Sequence, residues 1–239
     1  LWGDISHHAT DDEEREKAYL LLELATPIVK AYSTDKGFKV TELGVQVLGG
    51  YGYTKDYPME QYLRDCKIAS IYEGTNGIQA LDLLGRKMRM KGGAAFMTYV
   101  QELGRFIEKN REAEGLEDAF KALQKGQGTL GEVAFWVSSN AKQNVDLAML
   151  QATPFLELFG DVMVGHFLLE EAVVAAAKLQ ERIGTTAPTA QQRTDDPEVK
   201  FLAGKLDGAR FFAAEVLSHA PAKARTMMSG TTAALDMVF

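Results

Sequence analysis

Several features that define whole classes of protein are scarce in this sequence. It contains one cysteine, Cys66, so an intramolecular disulfide and a disulfide-rich scaffold are excluded. No apolar run approaches the roughly 18 residues that a membrane-spanning helix needs. The formal net charge is −7, so the chain lacks the positive excess typical of proteins that bind nucleic acid or an anionic membrane surface.

The motifs of several enzyme classes are also missing. No serine stands in a G-x-S-x-G elbow, and no lysine follows a phosphate-binding loop of the Walker type. The glycines at 49, 50 and 52 do not fit G-x-G-x-x-G and follow no predicted strand, which excludes a Rossmann site. No histidine has the spacing of a metal ligand, so no metal site is expected; His166, in an apolar run, is predicted to be a core residue. The histidines are His7, His8, His166 and His219.

What is present is the composition of a folded helical protein. The 239 residues are 46% hydrophobic and 25% charged, enough to bury a sizeable core. Apolar residues recur with helical spacing and no hairpin signal separates alternating strands, so the sequence predicts an all-α fold of antiparallel helices. Because the first residue is leucine and not methionine, we expect the chain to be part of a longer protein.

Local signals predict where the helices begin and end. The first helix starts with Thr10 as N-cap, and Pro27 kinks it or ends it near Ala25. A break is predicted at Asp35-Lys36-Gly37, then a second helix up to the glycines at 49 and 50, and a short helix from Pro58 to about Cys66. Further helices are predicted near 75–90, 94–112, 116–142, 155–182 and 197–218, with a loop at 184–190. Gly92-Gly93 is the clearest break and divides the chain into domains 1–91 and 92–239.

The block from Leu43 to Arg86 carries the candidate chemistry. Gly49, Gly50 and Gly52 would let a flat or phosphorylated ligand approach the backbone closely. Glu73 stands in an apolar connector, where a raised pKa would suit a general base. Thr75 precedes a helix start whose free N–H groups can bind a phosphate or a polar ring edge. From spacing alone, the alternative is favoured: Glu73 is an acid at a helix start and the glycines are caps.

A longer stretch of the sequence changes that balance. The block from Gln46 to Gln79 resembles the C-terminal signature of the acyl-CoA dehydrogenase family, through its Gln-x-x-Gly-Gly and Tyr-Glu-Gly-Thr stretches. The resemblance implies a flavoprotein that removes two hydrogens from an acyl-CoA thioester. Glu73 would take the α-proton, while the β-hydrogen would leave as hydride to flavin N5. Arg64 and Asp65 match the Arg-Asp of the signature, where a structural ion pair is expected.

The resemblance also implies the residues that bind ligands. Gln46, Gly49 and Gly50 would contact the adenosine-diphosphate end of FAD, typically on a neighbouring subunit. Thr75, Asn76 and Gly77 would line FAD, the backbone N–H of Glu73 would help to hold the thioester carbonyl, and Gly74 would border the acyl chain. By the same resemblance the protein would be a cytoplasmic bacterial homo-oligomer that passes its electrons to electron-transfer flavoprotein.

The 148 residues after the break resemble the extra C-terminal helical domain of larger bacterial members, including 3-methylmercaptopropionyl-CoA dehydrogenase-like proteins. We expect this extension to pack on the catalytic helical domain or to cover a dimer surface. Membrane association through an amphipathic helix is the alternative, and the acidic balance disfavours it. For the chain as given, the alternative to an enzyme is a non-catalytic helical module for interaction or oligomerisation.

Overall fold

The computed structural model describes residues 2–72 and 74–238, and within them regular structure is entirely helical, which confirms the all-α prediction. The α-helices are α1 (Trp2–His8), α2 (Asp12–Val47), α3 (Met59–Lys67), α4 (Asn76–Gly85), α5 (Ala94–Asn110), α6 (Glu117–Asn140), α7 (Val145–Leu150), α8 (Ala152–Ile183), α9 (Ala190–Asp195), α10 (Pro197–Glu215) and α11 (Ala220–Met227). Shorter 3-10 turns lie at Gly49–Tyr53, Ile68–Ser70, Lys87–Gly93 and Leu217–His219.

The chain forms two compact units. The first contains the described residues up to Thr98 together with Ala148–Gly160. The second contains Tyr99–Leu147 and the described residues from Asp161 onward. The division into domains 1–91 and 92–239 remains a prediction.

Helix α2 is the longest element; it ends just before Gly49 and Gly50 as predicted, but the breaks predicted within it were wrong. It runs without interruption from Asp12 to Val47, through both Pro27 and the segment predicted as a break. Its N-cap is Asp11, not Thr10, because the Asp11 carboxylate accepts hydrogen bonds from the backbone N–H of Glu13 (2.8 Å) and Glu14 (3.3 Å). Local signals alone therefore underestimate the length of this helix.

Burial explains why α2 passes through Pro27. A proline inside a helix costs about 3 kcal/mol relative to alanine. Against this, α2 buries an apolar face around the proline, and each large side chain there contributes about 1.5–3 kcal/mol. The large aliphatic members of that face are Leu20, Leu21, Leu24 and Ile28. Together they outweigh the proline, and Pro27 itself is buried among them.

Each residue of the predicted break has a tertiary neighbour elsewhere in the first unit. Asp35 accepts a hydrogen bond from the Asn76 side chain at 2.7 Å. The Lys36 ammonium lies 3.1 Å from a Glu157 carboxylate oxygen. A Cβ at Gly37 would lie 3.4 Å from the Cys66 sulfur, so α3 packs closely on α2 here, and Cys66 has the packing role that its sequence context predicts.

Glycines on or beside α2 allow the neighbouring segments to pack closely against it. A Cβ at Gly44 would lie 2.9 Å from the Met59 sulfur, so its absence makes room for the start of α3. A Cβ at Gly52 would lie 2.4 Å from the Val45 carbonyl oxygen. The backbone of the Gly49–Tyr53 turn therefore packs directly on the last turns of α2.

Helix α4 ends at Gly85, earlier than the predicted Met90, because the chain turns to bring two lysines to α2. Lys87 is 3% exposed, and its ammonium pairs with the carboxylate of Glu23. Lys91 has a left-handed backbone (φ 49°) and pairs with Glu16, one heptad before Glu23 on α2. Two ion pairs thus hold the Lys87–Gly93 turn on α2.

The second unit has a core of aromatic and leucine side chains from α5, α6, α8 and α10. Glycines again permit close packing: a Cβ at Gly165 would lie 2.8 Å from the Leu217 side chain. The fully buried Asp161 is paired with Lys223 on α11 at 2.7 Å. His166 is 4% exposed and contacts the rings of Phe106 and Phe167, which confirms the predicted core histidine.

The predicted helices of this half agree with the structure to within a few residues. Helix α10 stops at Glu215, and the segment predicted to complete it is a 3-10 turn over Leu217–His219. The predicted loop is confirmed at 184–189, where Thr189 begins a capping box with Gln192.

The buried lysine gives the first prediction. Glu23→Gln removes the charge that compensates the Lys87 ammonium, so we expect the free energy of unfolding to fall by about 3 kcal/mol. The matched control is Glu42→Gln, which breaks an exposed pair with Lys39 and should cost no more than about 1 kcal/mol. Urea denaturation of the two variants measures both values, and equal losses would contradict a stabilising role for the buried pair.

Candidate active site

The predicted ligand-binding residues lie in two clusters on the first unit. The first cluster is at the C-terminal end of α2 and comprises Gln46, Gly49 and Gly50, all of them exposed. Gly49 has φ 57°, a left-handed conformation that lets the chain leave the helix and enter the 3-10 turn. Its neighbour Gly50 needs a different explanation.

Gly50 has neither the conformation nor the packing that usually requires glycine. Its φ is not positive, and a Cβ built there would meet no heavy atom within 4 Å in the described part of the chain. This differs from Gly52, whose Cβ would collide with Val45. The Gly50 backbone is therefore open to close approach by a group from outside the chain.

The second cluster is at the N-terminal end of α4 and comprises Gly74, Thr75, Asn76 and Gly77. Thr75 is the N-cap of α4, and its hydroxyl oxygen accepts a hydrogen bond from the backbone N–H of Ile78 at 3.3 Å. Gly74 has φ 87°, and a Cβ there would lie 2.8 Å from the Gln79 side-chain nitrogen. Glycine is thus required at 74 to turn the chain into the helix.

The Asn76 side chain fixes this cluster to the middle of α2. Its amide nitrogen lies within hydrogen-bond distance of the Asp35 carboxylate (2.7 Å), the Thr34 hydroxyl (3.0 Å) and the Ala31 carbonyl oxygen (3.2 Å). The Asn76 carbonyl oxygen also accepts from the Thr34 hydroxyl at 3.2 Å. The side chain of Asn76 is directed at α2, so a ligand at this helix start would meet Thr75 and the backbone instead.

A small cleft of about 110 Å³ lies between α2 and this cluster. Tyr72 and Gly74, the two neighbours of position 73, line it together with Thr34 and Asn76. Glu73 itself, the predicted base, lies outside the described residues. Tyr72 and Gly74 belong to the wall of a cleft whose far side is α2.

The two clusters are separated along α2. Asn76 bonds to α2 as far along as Asp35, whereas Gln46 lies eleven residues further on. At about 1.5 Å per residue, this separation is about 16 Å. Residues 74–77 therefore form one cluster, and Gln46, Gly49 and Gly50 form another. The two clusters do not form one continuous surface.

A basic groove beside the first cluster was not predicted from the sequence. It has a volume of about 660 Å³ and a largely apolar lining that includes Val45 and Tyr53, together with the cations of Lys55, Arg64 and Lys67 and the carboxylate of Glu60. Arg64 forms its ion pair with Glu60 at 3.4 Å and not with Asp65, which accepts from Gln61. The spacing of Arg64 and Lys67 on one face of α3 is the signal that could have revealed the groove.

Two family descriptions match the chain. Residues 6–88 match the family described as acyl-CoA dehydrogenase, C-terminal domain, and residues 99–238 match the family described as acetyl-CoA dehydrogenase C-terminal like. The chain belongs to the acyl-CoA dehydrogenase family. The family resemblance predicted from the signature is confirmed.

Relatives with assigned activities are similar over nearly the whole chain. A butyryl-CoA dehydrogenase of Syntrophomonas wolfei is 31% identical over 99% of this chain and 37% of its own length. A 3-methylmercaptopropionyl-CoA dehydrogenase of Ruegeria pomeroyi is 32% identical over 93% of this chain and 35% of its own length. The chain therefore spans about a third of the length of these relatives.

A solved structure has the same fold. An acyl-CoA dehydrogenase from Bacillus anthracis, crystallised in complex with FAD, aligns with a TM-score of 0.65 at 19% identity, over 95% of this chain and 37% of its own.

Within residues 2–72 and 74–238, no helix is long and apolar enough to cross a membrane. The same residues contain no group of three or more histidine, cysteine or acidic side chains that could hold a metal ion.

The Asn76 contacts give a prediction for the cleft. Asn76→Ala removes the hydrogen bonds that hold the start of α4 on α2, including one to a carboxylate. We therefore expect the free energy of unfolding to fall by about 2–3 kcal/mol. Amide hydrogen exchange should accelerate in residues 74–80 and stay unchanged in α10. A control is Asn144→Ala, which removes a hydrogen bond to the backbone of Leu147. Unchanged exchange in residues 74–80 of the Asn76 variant would contradict the account.

Proposed function

We propose that this chain is part of an FAD-dependent acyl-CoA dehydrogenase that introduces an α,β double bond into an acyl-CoA thioester. The observation that supports the proposal is the cleft that Tyr72 and Gly74 line together with residues of α2. In this proposal Glu73 is the base that removes the α-proton. Residues 1–91 belong to the catalytic helical domain, and residues 92–239 form the extension.

The first cluster fits the diphosphate part of a cofactor. Gly50 leaves its backbone open where no internal contact requires glycine, and Gln46 presents an exposed amide one turn away. The adjacent groove carries lysine and arginine side chains, which favour a negatively charged group. Backbone N–H groups, an amide and nearby cations together form a donor set suited to phosphate.

The second cluster would position the reacting end of the substrate and the flavin. Thr75 and the helix start offer a hydroxyl and N–H groups to polar atoms of the cofactor. The N–H of Glu73 would donate to the thioester carbonyl, which makes the α-proton more acidic by stabilising the enolate-like oxygen. Gly74 would leave room for the acyl chain. The flavin, when bound, supplies the acceptor for the β-hydride.

The two clusters lie about 16 Å apart along α2, and the family resemblance implies that the first of them contacts FAD bound to a neighbouring subunit. An extended FAD whose flavin lay at residues 74–77 of one chain could reach residues 46–50 of another. We therefore include a homo-oligomer in the proposal, with electron-transfer flavoprotein as the acceptor of the electrons. The alternative, a non-catalytic helical module, concerns the 239-residue chain itself, and a purified chain that binds flavin and is active would contradict it.

The assignment of the base is tested by Glu73→Gln in the full-length protein. Glutamine cannot take a proton, so we expect acyl-CoA-dependent reduction of the flavin to fall by about a thousandfold or more while the oxidised flavin spectrum is retained. The control is Glu132→Gln, an exposed position on α6. Reduction at the original rate in the Glu73 variant would contradict the role of Glu73, and a full-length protein without flavin would contradict the enzyme proposal.

The cofactor contact is tested by Gly50→Leu. Because a Cβ at this position would meet no heavy atom of the described residues within 4 Å, we expect an unchanged fold by circular dichroism and thermal unfolding, but a dissociation constant for FAD raised by about tenfold or more. Gly128→Leu is the matched control, since its Cβ on α6 also meets nothing within 4 Å. Equal FAD affinity in the two variants would remove Gly50 from the cofactor site.

A further inference from the structure

Lys30 brings a positive charge to the cleft between α2 and the start of α4. The cleft has a volume of about 110 Å³, and Tyr72 and Gly74 line it together with residues of α2. Of the described residues in this lining, Lys30 is the one that is charged at neutral pH, and Tyr72 is the other titratable side chain. The electrostatic character of the described cleft wall therefore depends on this lysine.

The turn of α2 that carries Lys30 is fixed relative to the start of α4. Lys30 and Thr34 are one turn apart and share a face of the helix. The Thr34 hydroxyl donates to the Lys30 carbonyl oxygen at 2.8 Å, and the Asn76 side-chain nitrogen lies 3.0 Å from the same hydroxyl. Ala31, next along the chain, is 1% exposed. The backbone of Lys30 is therefore held at a defined height beside residues 74–77.

The neighbouring acids of α2 are engaged by other groups. Glu23 and Asp35 are the acids that precede and follow Lys30 most closely along the helix. The Glu23 carboxylate pairs with Lys87, and the Asp35 carboxylate accepts from Asn76 at 2.7 Å. Lys30 is exposed, so water weakens its field. We therefore expect its effect on the pKa of a carboxylate at the cleft to be about 1 unit, the lower end of the usual range for an opposite charge.

The proposed reaction needs such a charge. A general base must be ionised before it can accept a proton, and apolar surroundings favour its neutral form. A cation within about 4–6 Å favours the ionised form and so extends the activity to lower pH. Tyr72 and Gly74, which flank the proposed base in the sequence, line the same cleft as Lys30.

We propose that Lys30 is a positioning residue for this reaction, and that its ammonium stabilises the ionised form of the base. The inference rests on the proposed function, which assigns that base to Glu73. It adds a residue that lies outside the signature from Gln46 to Gln79. The α-proton goes to Glu73, and Lys30 keeps its own proton throughout.

The test is the pH dependence of flavin reduction in single turnovers of the full-length protein, with the fastest of butyryl-, octanoyl- and palmitoyl-CoA as the probe. Lys30→Met removes the charge and keeps most of the side chain, so we expect the midpoint of the acidic limb to rise by about 1 pH unit. The rate on that limb should fall by about tenfold, and the alkaline plateau should be retained. Lys30→Arg restores the charge and should return the midpoint to its original value.

The matched control is Lys39→Met, which removes an exposed lysine of α2 whose partner is Glu42. It should leave the midpoint unchanged. Salt gives a second measurement, made on the unaltered protein. Sodium chloride screens the Lys30 charge, so the midpoint should rise with its concentration, and should rise less in Lys30→Met.

The outcomes separate this inference from the proposed function. An acidic limb that stays in place in Lys30→Met, or a rate that falls equally at every pH, would overturn the role of Lys30. So would a midpoint that Lys30→Arg fails to return, or one that salt does not move in the unaltered protein. If Glu73→Gln reduces flavin at the original rate, or if none of the three thioesters reduces it, the proposed function fails instead.

Discussion

The continuity of α2 is the constraint on which the rest of the first unit depends. The short helix α3, the glycine turn at 49–53, the start of α4 and the Lys87–Gly93 turn all contact this one helix. Both candidate ligand clusters therefore lie against the same helix, one at its C-terminal end and one at its middle. If α2 ended near Ala25 or broke at Asp35, the two clusters would have no fixed separation.

The contacts along α2 divide into structural and chemical ones. Glu16 and Glu23 hold the two lysines of the following turn, while Gly44 supplies space for α3. Asn76 also belongs to the structural set, because its side chain is bonded to α2. The Thr75 hydroxyl, the backbone around it, the Gln46 side chain and the open backbone at Gly50 are exposed to a ligand. A family signature thus contains residues that hold the site as well as residues that face it.

The sequence predicts the fold class and most helices of the second half because helical periodicity there is uninterrupted by strong breaking signals. It fails at Pro27, where burial of the apolar face of α2 outweighs the proline, and at residues 35–37, which have tertiary contacts with Asn76, Glu157 and Cys66. Motif residues identify both clusters. The bonds from Asn76 to Ala31 and Asp35 join residues more than forty positions apart, and the basic groove combines α2 with α3, so spacing alone reveals neither.

The central claim, a continuous α2, is tested most directly by a distance along the helix. With Cys66 replaced by serine, spin labels at exposed positions 14 and 47 can be measured by double electron–electron resonance. An unbroken helix of this length predicts one narrow distribution near 50 Å, from a rise of about 1.5 Å per residue. A broad distribution, or a maximum many ångströms shorter, would show that the helix breaks and would contradict the account.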